Sequence, residues 1–326
     1  MVGMTCSLFF SVPHCTQIRP ISRLTAVSTI FLLLGRAGPV NAAFARVRET
    51  STLAPVLVHR RRIAVKEHPC FLWRRDASSK ALKMANILES PSAERNKGPI
   101  NEVLEAKVYP RVVENVTNDS RSKVNVLELA AGCGVHTTHF VSAFLSGNKD
   151  IGMEWHPSDP DPDARLSIDA RVQRDGLQSS VVPANGWILG KSGGTAFRDN
   201  HRDKGDAGEG NAGDAAVYEE LHDFFDLALC INMMHIAPYE ATKGLMECAG
   251  KVLRKGGMLV CYGPFKVGGT AVESNLNFDR NLRSRNPEWG VRDLEDVIAI
   301  AKAEGLDFKE SIEMPANNLS VLFCKT

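Results

Sequence analysis

From residue 124 onward, apolar positions fall into short continuous runs that alternate with stretches of helical spacing. Val124, Val126, Leu127 and Leu129 form the first run. It stops at the turn Ala130-Ala131-Gly132-Cys133-Gly134, after which an amphipathic stretch runs from Val135 to about Phe144. Apolar runs of this length, alternating with helices, read as parallel strands buried on both faces of an open α/β sheet. The same pattern predicts a second strand over Ile151 to Trp155, closed by Pro157, and a helix over Ala164 to Arg174. Val181-Val182-Pro183 opens a third strand whose pattern then fails. Phe224 to Ile231 is the fourth strand, and a helix from Glu240 to Leu253 ends at Lys255-Gly256-Gly257, read as a C-cap. Met258 to Tyr262 is the fifth strand, ending in Gly263-Pro264-Phe265. A helix from Asp293 to Glu304, capped by Gly305, precedes two strands (307–313 and 319–324) that flank Met314 to Asn318 and form an antiparallel hairpin. Upstream, Ser90-Pro91 reads as an N-cap with proline at the first helical position. Val103, Leu104 and Val108 continue at helical spacing to Tyr109-Pro110, and 111–123 reads as a polar linker.

A strand, a glycine turn and a helix in that order make a nucleotide-binding unit. The glycines allow a tight turn and close approach of backbone to ligand, and the helix N-terminus offers free N–H groups. Glu128 lies inside the strand end, where a buried carboxylate needs a task or a partner. A dinucleotide fingerprint requires a third glycine, but the run is Gly132-Cys133-Gly134-Val135-His136-Thr137, which disfavours a nicotinamide oxidoreductase. An acid after the second strand is where ribose hydroxyls are held; Asp159 fits by its place after Pro157, and Glu154 fits by count. Carboxyl ends of parallel strands line the ligand crevice, so Asn232, His235, Tyr262 and Phe265 are expected to face the same cleft as the glycine turn. Beyond them, the Asn-, Arg- and aromatic-rich stretch 275–292 supplies Asp279, Arg283, Arg285, Asn286, Trp289 and Arg292, and the hairpin turn supplies Asn317. Taken one at a time, such residues make loop hydrogen bonds or cover apolar surface. As a set they form a wall opposite the cofactor, and Arg283 with Arg285 points to an anionic acceptor. His235, Tyr262 and Asp279 are the candidates for proton handling. Gly190-Lys191-Ser192 is not a phosphate loop, because the required first glycine would fall at Asn185.

Composition changes the picture in two places. The chain of 326 residues carries a net charge of only +1, but this hides an asymmetry. Residues 1–83 hold 13 Lys/Arg against three acids, whereas the remainder has 26 against 35. An acidic body gives no strong nucleic-acid signal and favours a small or neutral substrate. The eight cysteines include no C-x-x-C pair and read as buried thiols, with no metal site expected. No acid precedes Glu49, the apolar stretch Ala26 to Leu34 is too short to span a bilayer, and Val40-Asn41-Ala42 is a small-x-small cleavage pattern followed by Phe44. This order resembles the bipartite signal-plus-transit presequence of plastid proteins in algae with secondary plastids. A mitochondrial or secretory address, or a start near Met84 with a cytoplasmic product, are the alternatives. The expected organisation is a targeting or disordered segment at 1–83, no membrane span in the mature protein, and one domain at 84–326 with a Gly- and Asp-rich flexible insertion at about 190–215.

Several blocks together carry a resemblance: S-A-E-R-N-K-x-P-I (92–100 and its preceding Pro91), L-E-L-A-A-G-C-G-x-H (127–136), E-W-x-P-S-D (154–159), C-I-N-M-x-H-I (230–236), Y-G-P-F (262–265), S-N-x-x-F-D (274–279), R-N-P-E-W-G-V-R-D (285–293) and M-P-A-N-N (314–318). Over about 90–326 the chain resembles methyltransferase-like protein 26 and its bacterial relatives, which are similar to S-adenosylmethionine (SAM) methyltransferases. The resemblance implies a seven-stranded class I, Rossmann-like sheet, mostly parallel with an antiparallel C-terminal hairpin and helices on both faces. It also implies a SAM pocket built from Glu128, Ala130, Gly132, Gly134 and Asp159, with Asn232 and Met233 near the adenine and methionine ends. The third-strand Asp common in relatives is not evident here; Asn185 is the nearest polar residue. The function it implies is methyl transfer to a small-molecule acceptor. The alternative is a SAM-binding scaffold or regulatory protein without turnover.

Overall fold

The computed structural model describes residues 87–189, 195–198 and 221–326. The segment expected to be a presequence and most of the expected 190–215 insertion lie outside the described residues. Helix α1 (Pro91–Val103) starts on Ser90, whose hydroxyl accepts from the Ala93 N–H. A single π-helical turn, Leu104–Val108, carries the chain into α2 (Tyr109–Asn118). Then follow β1 (Lys123–Leu129), α3 (Val135–Gly147), β2 (Gly152–Ser158), α4 (Pro162–Arg174), and the short strands β3 (Gly186–Leu189) and β4 (Thr195–Arg198). The second half comprises β5 (Phe225–Ile231), α5 (Tyr239–Val252), β6 (Leu253–Gly263), β7 (Phe265–Lys266), α6 (Glu273–Arg285), β8 (Arg292–Asp293), α7 (Leu294–Ala303), β9 (Leu306–Met314) and β10 (Asn318–Lys325).

The main sheet has the order β2-β1-β5-β6-β10-β9. Its pairs β1–β2, β1–β5 and β5–β6 are parallel, and β10 runs antiparallel to both of its neighbours. Every residue of β5 is buried, as expected of a central parallel strand covered on both sides. Ile100, Val112, Phe140 and Ile168, from α1 to α4, pack on one face. Leu245 of α5 and Val297 of α7 pack on the other. The chain leaves β1 toward β2, then returns across the sheet to β5, so strand order reverses between β1 and β5. In open α/β sheets that reversal marks the ligand crevice. This is an open, mostly parallel α/β sheet with helices on both faces and an antiparallel final hairpin, the Rossmann-like arrangement expected. The main sheet has six strands rather than seven, and two two-stranded sheets, β3–β4 and β7–β8, lie apart from it among the described residues.

The missing strand has a local cause. Trp155 N–H donates to Ser180 O and Val182 N–H to Trp155 O; farther along, Asn185 N–H donates to Pro157 O and Asp159 N–H to Asn185 O. Two parallel bridges remain, Trp155 with Val181 and Ser158 with Asn185. Alternate N–H groups of β2 point to this side, those of Trp155 and Asp159, and the position between them is Pro157, which has none. The facing segment carries its own proline, Pro183, and spends one extra residue between the two bridges. Ala184 N–H turns away to the Asp169 carboxylate on α4 at 2.9 Å. Burial raises the pKa of Asp169 to about 6, against which the Ala184 N–H acts. Asp169→Ala leaves that N–H without its acceptor and is expected to cost roughly 1–3 kcal/mol, measured by urea denaturation; an unchanged midpoint would show that the segment is held by its bridges alone.

Three other expectations are corrected. Pro157 does not close the second strand, which runs on through Ser158. Residues 111–118 are helix rather than linker: the π turn, where Tyr109 N–H reaches back to Leu104 O, carries the helical run past Pro110, and Val112 and Val116 are buried one turn apart. Lys255-Gly256-Gly257 is not a helix C-cap, because Leu253 is already extended and these residues lie in β6. There the β5–β6 register shifts between Phe225 and Leu227 and Gly256 adopts φ +81°. Within the stretch expected to be an insertion, Thr195–Arg198 pairs antiparallel with Gly186–Leu189.

Candidate functional site

The corner after β1 is built from left-handed backbone. Ala130, Gly132 and Gly134 have φ of 55°, 61° and 83°. The two glycines are there for different reasons. A Cβ on Gly134 would lie 2.8 Å from Ile168 Cα, so this residue lets α3 and α4 meet, whereas a Cβ on Gly132 would meet nothing within 4 Å. Asp159 holds the corner from β2: its Oδ2 accepts from Gly132 N–H at 2.8 Å and its Oδ1 from Asp161 N–H at 2.9 Å. Burial raises the Asp159 pKa, with those two N–H groups working against it. From α4, Ser167 Oγ and Arg171 Nε both donate to Cys133 O at 2.9 Å. Arg171 also donates to Leu88 O, tying the segment before α1 to the same corner.

Glu128 is 1% exposed, sealed between β1, β2 and α3. Its Oε2 accepts from Thr137 Oγ1 at 2.6 Å and from Trp155 Nε1 at 2.8 Å. Burial raises its pKa to about 7, against the pull of those two donors. The carboxylate that needed a task or a partner thus has two partners, and they belong to the fold.

Across the sheet, Asn232 takes a left-handed φ of 58° directly after β5 and donates its N–H to Tyr262 O at 2.8 Å. Met233 is buried against the α5 side of the core. A Cβ on Gly263 would lie 3.3 Å from His235 Nδ1 and 3.7 Å from Asn232 Oδ1, so both side chains converge on the carboxyl end of β6. His235 is 7% exposed, and burial, helped by the Arg292 charge, lowers its pKa to about 4. Tyr262 is buried and its hydroxyl accepts from Asn318 Nδ2 at 3.0 Å; burial raises its pKa against that hydrogen bond. Phe265 is buried in β7 beside β8.

The outer candidates are mostly engaged with one another. Asp279 accepts from Arg283 Nε, Lys266 Nζ and Val291 N–H, and these donors outweigh burial, leaving its pKa lowered. Arg285 lies over the Trp289 ring with its guanidinium carbon 5.6 Å from the centroid. Asn286 Oδ1 accepts from Glu288 N–H. Arg292 donates to Met234 O, Ala237 O and Glu288 O and so clamps the loop that carries His235. Asn317 Nδ2 donates to Ser274 Oγ and its carbonyl accepts from Asn275 Nδ2, docking the hairpin turn on α6. Among the described residues there is no group of three or more His, Cys, Asp or Glu that could hold a metal ion, and no helix long and apolar enough to cross a membrane.

Residues 88–195 and 199–325 match the family described as Protein of unknown function (DUF938). The chain belongs to the DUF938 family. Solved structures similar to this DUF938 chain include the SAM-dependent methyltransferase SibL in its apo form, with 16% identity and TM-score 0.43 over 69% of this chain and 54% of that one. Another is an O-methyltransferase family 2 protein from Planctomyces limnophilus in complex with apigenin, with 15% identity and TM-score 0.45 over 77% and 66%. A third is PigF with S-adenosylhomocysteine (SAH), with 11% identity and TM-score 0.43 over 62% and 50%. The chain spans about half to two-thirds of the length of these solved chains.

Several groups at the DUF938 site were not singled out by their sequence positions. Thr137 and Trp155 complete the Glu128 cluster, Ser167 and Arg171 hold the glycine corner, and Lys266 joins Asp279. All reach their partners across elements, a relation no local pattern records. Asp279 and Arg283 are the exception: acid and arginine four apart on a helix are neighbours by geometry.

Proposed function

We propose that the protein is a SAM-dependent methyltransferase acting on a small-molecule acceptor. The observation that carries this reading is the corner Ala130 to Gly134: left-handed backbone at the switch point of the sheet, with open space where a Gly132 side chain would stand. The backbone at Ala130, Gly132 and Gly134 would take the methionine portion of SAM. Asp159 would take the ribose, each oxygen keeping a lone pair beyond the N–H it already accepts. Asn232 and Met233 would border the rest of the nucleoside. When bound, SAM supplies a methyl group on an electron-poor sulfonium. The chain's own contribution is positioning and exclusion of water. Glu128 supports the corner from beneath, and Arg292 fixes the loop bearing His235. The finer likeness to methyltransferase-like protein 26 rests on the sequence blocks, and we read residues 1–83 as a plastid address preceding a domain at 84–326 on the same footing.

Calorimetric titration of the full chain with SAM, SAH and NAD tests the reading. SAM and SAH are expected to bind and NAD not to; binding of NAD alone would overturn it. Asp159→Ala is expected to weaken SAM about ten-fold, the scale of a lost hydrogen bond to a charged group, while the melting temperature reports any loss of the Gly132 contact separately. A second reading, a SAM-binding scaffold without turnover, is favoured by the interrupted third strand and by Asn185 at its end, where its carbonyl is already spent on Asp159 N–H. Label transfer from SAM into a metabolite extract separates the two.

A further inference from the structure

We propose that the acceptor is a flat aromatic alcohol, its ring lying against Phe278 and its hydroxyl directed at the His235 imidazole, which receives the proton lost on methylation; this rests on the methyl-transfer reading above. His235 sits where such a group is needed. Leu129 of β1 pairs with Cys230 of β5, and Ile231 of β5 with Tyr262 of β6. The glycine corner and the Gly263 end of β6 are therefore two strand spacings apart, about 10 Å, which leaves room for a transferred methyl and the atom that takes it.

His235 is 7% exposed, yet its ring nitrogens have no hydrogen-bond partner among the described residues and are not among their sealed polar atoms. Burial and Arg292 keep the ring uncharged at neutral pH, so one nitrogen presents a lone pair to the cleft. Two other candidates on this wall already have partners: the Tyr262 hydroxyl accepts from Asn318, and Asp279 accepts from Arg283, Lys266 and Val291 N–H. A neutral imidazole with a free lone pair asks for a donor, and a hydroxyl is one.

Beside it stands apolar surface that the fold leaves uncovered. Phe278 is 39% exposed on α6, with its ring centroid 5.5 Å from that of His235 and the planes inclined at 61°. Ile236, next in the chain, is 46% exposed. A ring edge and an imidazole set at an angle form a slot for a third ring, since aromatic groups meet offset or edge-on with centroids roughly 4.5–7 Å apart. The two cations that pointed to an anionic acceptor are turned to other partners: Arg283 donates to Asp279, and Arg285 stacks on Trp289.

The transfer balances without another reactant. The acceptor oxygen forms a bond to the methyl carbon as the carbon–sulfonium bond breaks. That bonding pair remains on sulfur, giving the neutral thioether SAH, and the hydroxyl proton passes to a ring nitrogen of His235. As the new C–O bond forms, the hydroxyl becomes strongly acidic, so a weakly basic imidazole suffices.

The test uses the full chain with 2-naphthol and its saturated analogue 2-decalol. SAH is titrated first; if it does not bind, the methyltransferase reading itself falls. In the SAH complex, 2-naphthol is expected to bind about ten-fold more tightly than 2-decalol, and Phe278→Ala to remove most of that preference without changing SAH affinity. Equal binding of the two alcohols, or a preference untouched by Phe278→Ala, would overturn the aromatic slot. With SAM, wild type is expected to release the naphthyl methyl ether and SAH, and His235→Asn to slow this at least 100-fold while still binding naphthol. Naphthol that binds but is never methylated by wild type, or is methylated as fast by His235→Asn, would overturn the assignment of His235.

Discussion

Glu128→Gln is expected to raise the melting temperature at pH 8 by roughly 6–12 °C, the equivalent of about 3 kcal/mol in a domain of this size. In the folded protein the carboxyl pKa is raised from 4.5 to about 7, because burial disfavours the charged form more than Thr137 and Trp155 favour it. The folded state therefore holds a proton that the unfolded chain has released, and the sign follows from linkage. The stability this group contributes is complete below pH 4.5, declines as pH rises, and is gone above about 7. Gln is uncharged throughout, and its amide oxygen can accept from both Thr137 Oγ1 and Trp155 Nε1. Wild type and variant should thus melt within a degree or two of each other near pH 4.5 and diverge toward pH 8, as calorimetric scans across that range would show. A difference that does not change with pH would mean that Glu128 is not buried as a lone carboxylate.

How far such a cluster can be read in advance depends on the range over which its residues meet. The strand at 124–129, the glycine corner and α3 are legible because each is local: an apolar run, two glycines suited to left-handed backbone, and an amphipathic stretch follow one another without interruption, whereas the left-handed turn at Ala130 is not announced by its residue type. The wholly apolar β5 and the C-terminal hairpin are legible for the same reason. Prolines misled twice. Pro110 reads as a helix stop but lies within a helical run that a π turn carries past it, and Pro157 reads as a strand end but lies inside β2. What decides the case of Pro157 is whether the missing N–H faces a partner, and that depends on a neighbour distant in sequence. Convergence of Asn232, His235 and Gly263 could be expected, since parallel strands must end on one edge. The partners of Glu128 could not: Trp155 is 27 residues away, and it meets the carboxylate only because β1 and β2 pair in one register.

The two glycines of the corner should fail in opposite ways when substituted. Gly134→Ala places a Cβ 2.8 Å from the Ile168 backbone at a φ of +83°, so α3 and α4 must separate or the turn must unwind. Overpacking of this kind costs about 1–3 kcal/mol and left-handed backbone for a non-glycine residue another 1–2, so a loss of roughly 2–5 kcal/mol is expected in chemical denaturation. Gly132→Arg meets no such obstacle, because no atom lies within 4 Å of the new Cβ. Its stability cost is expected to stay near the conformational term alone, about 1–2 kcal/mol. Its effect falls on the space the side chain enters: SAM affinity should drop at least 100-fold, the scale on which a blocked site loses several kcal/mol of binding. Denaturation curves and SAM titrations on the two variants would separate a packing glycine from a ligand-facing one. If Gly132→Arg bound SAM as wild type does, the space over the corner would not be the cofactor site, and the nucleoside would have to lie elsewhere along the strand ends.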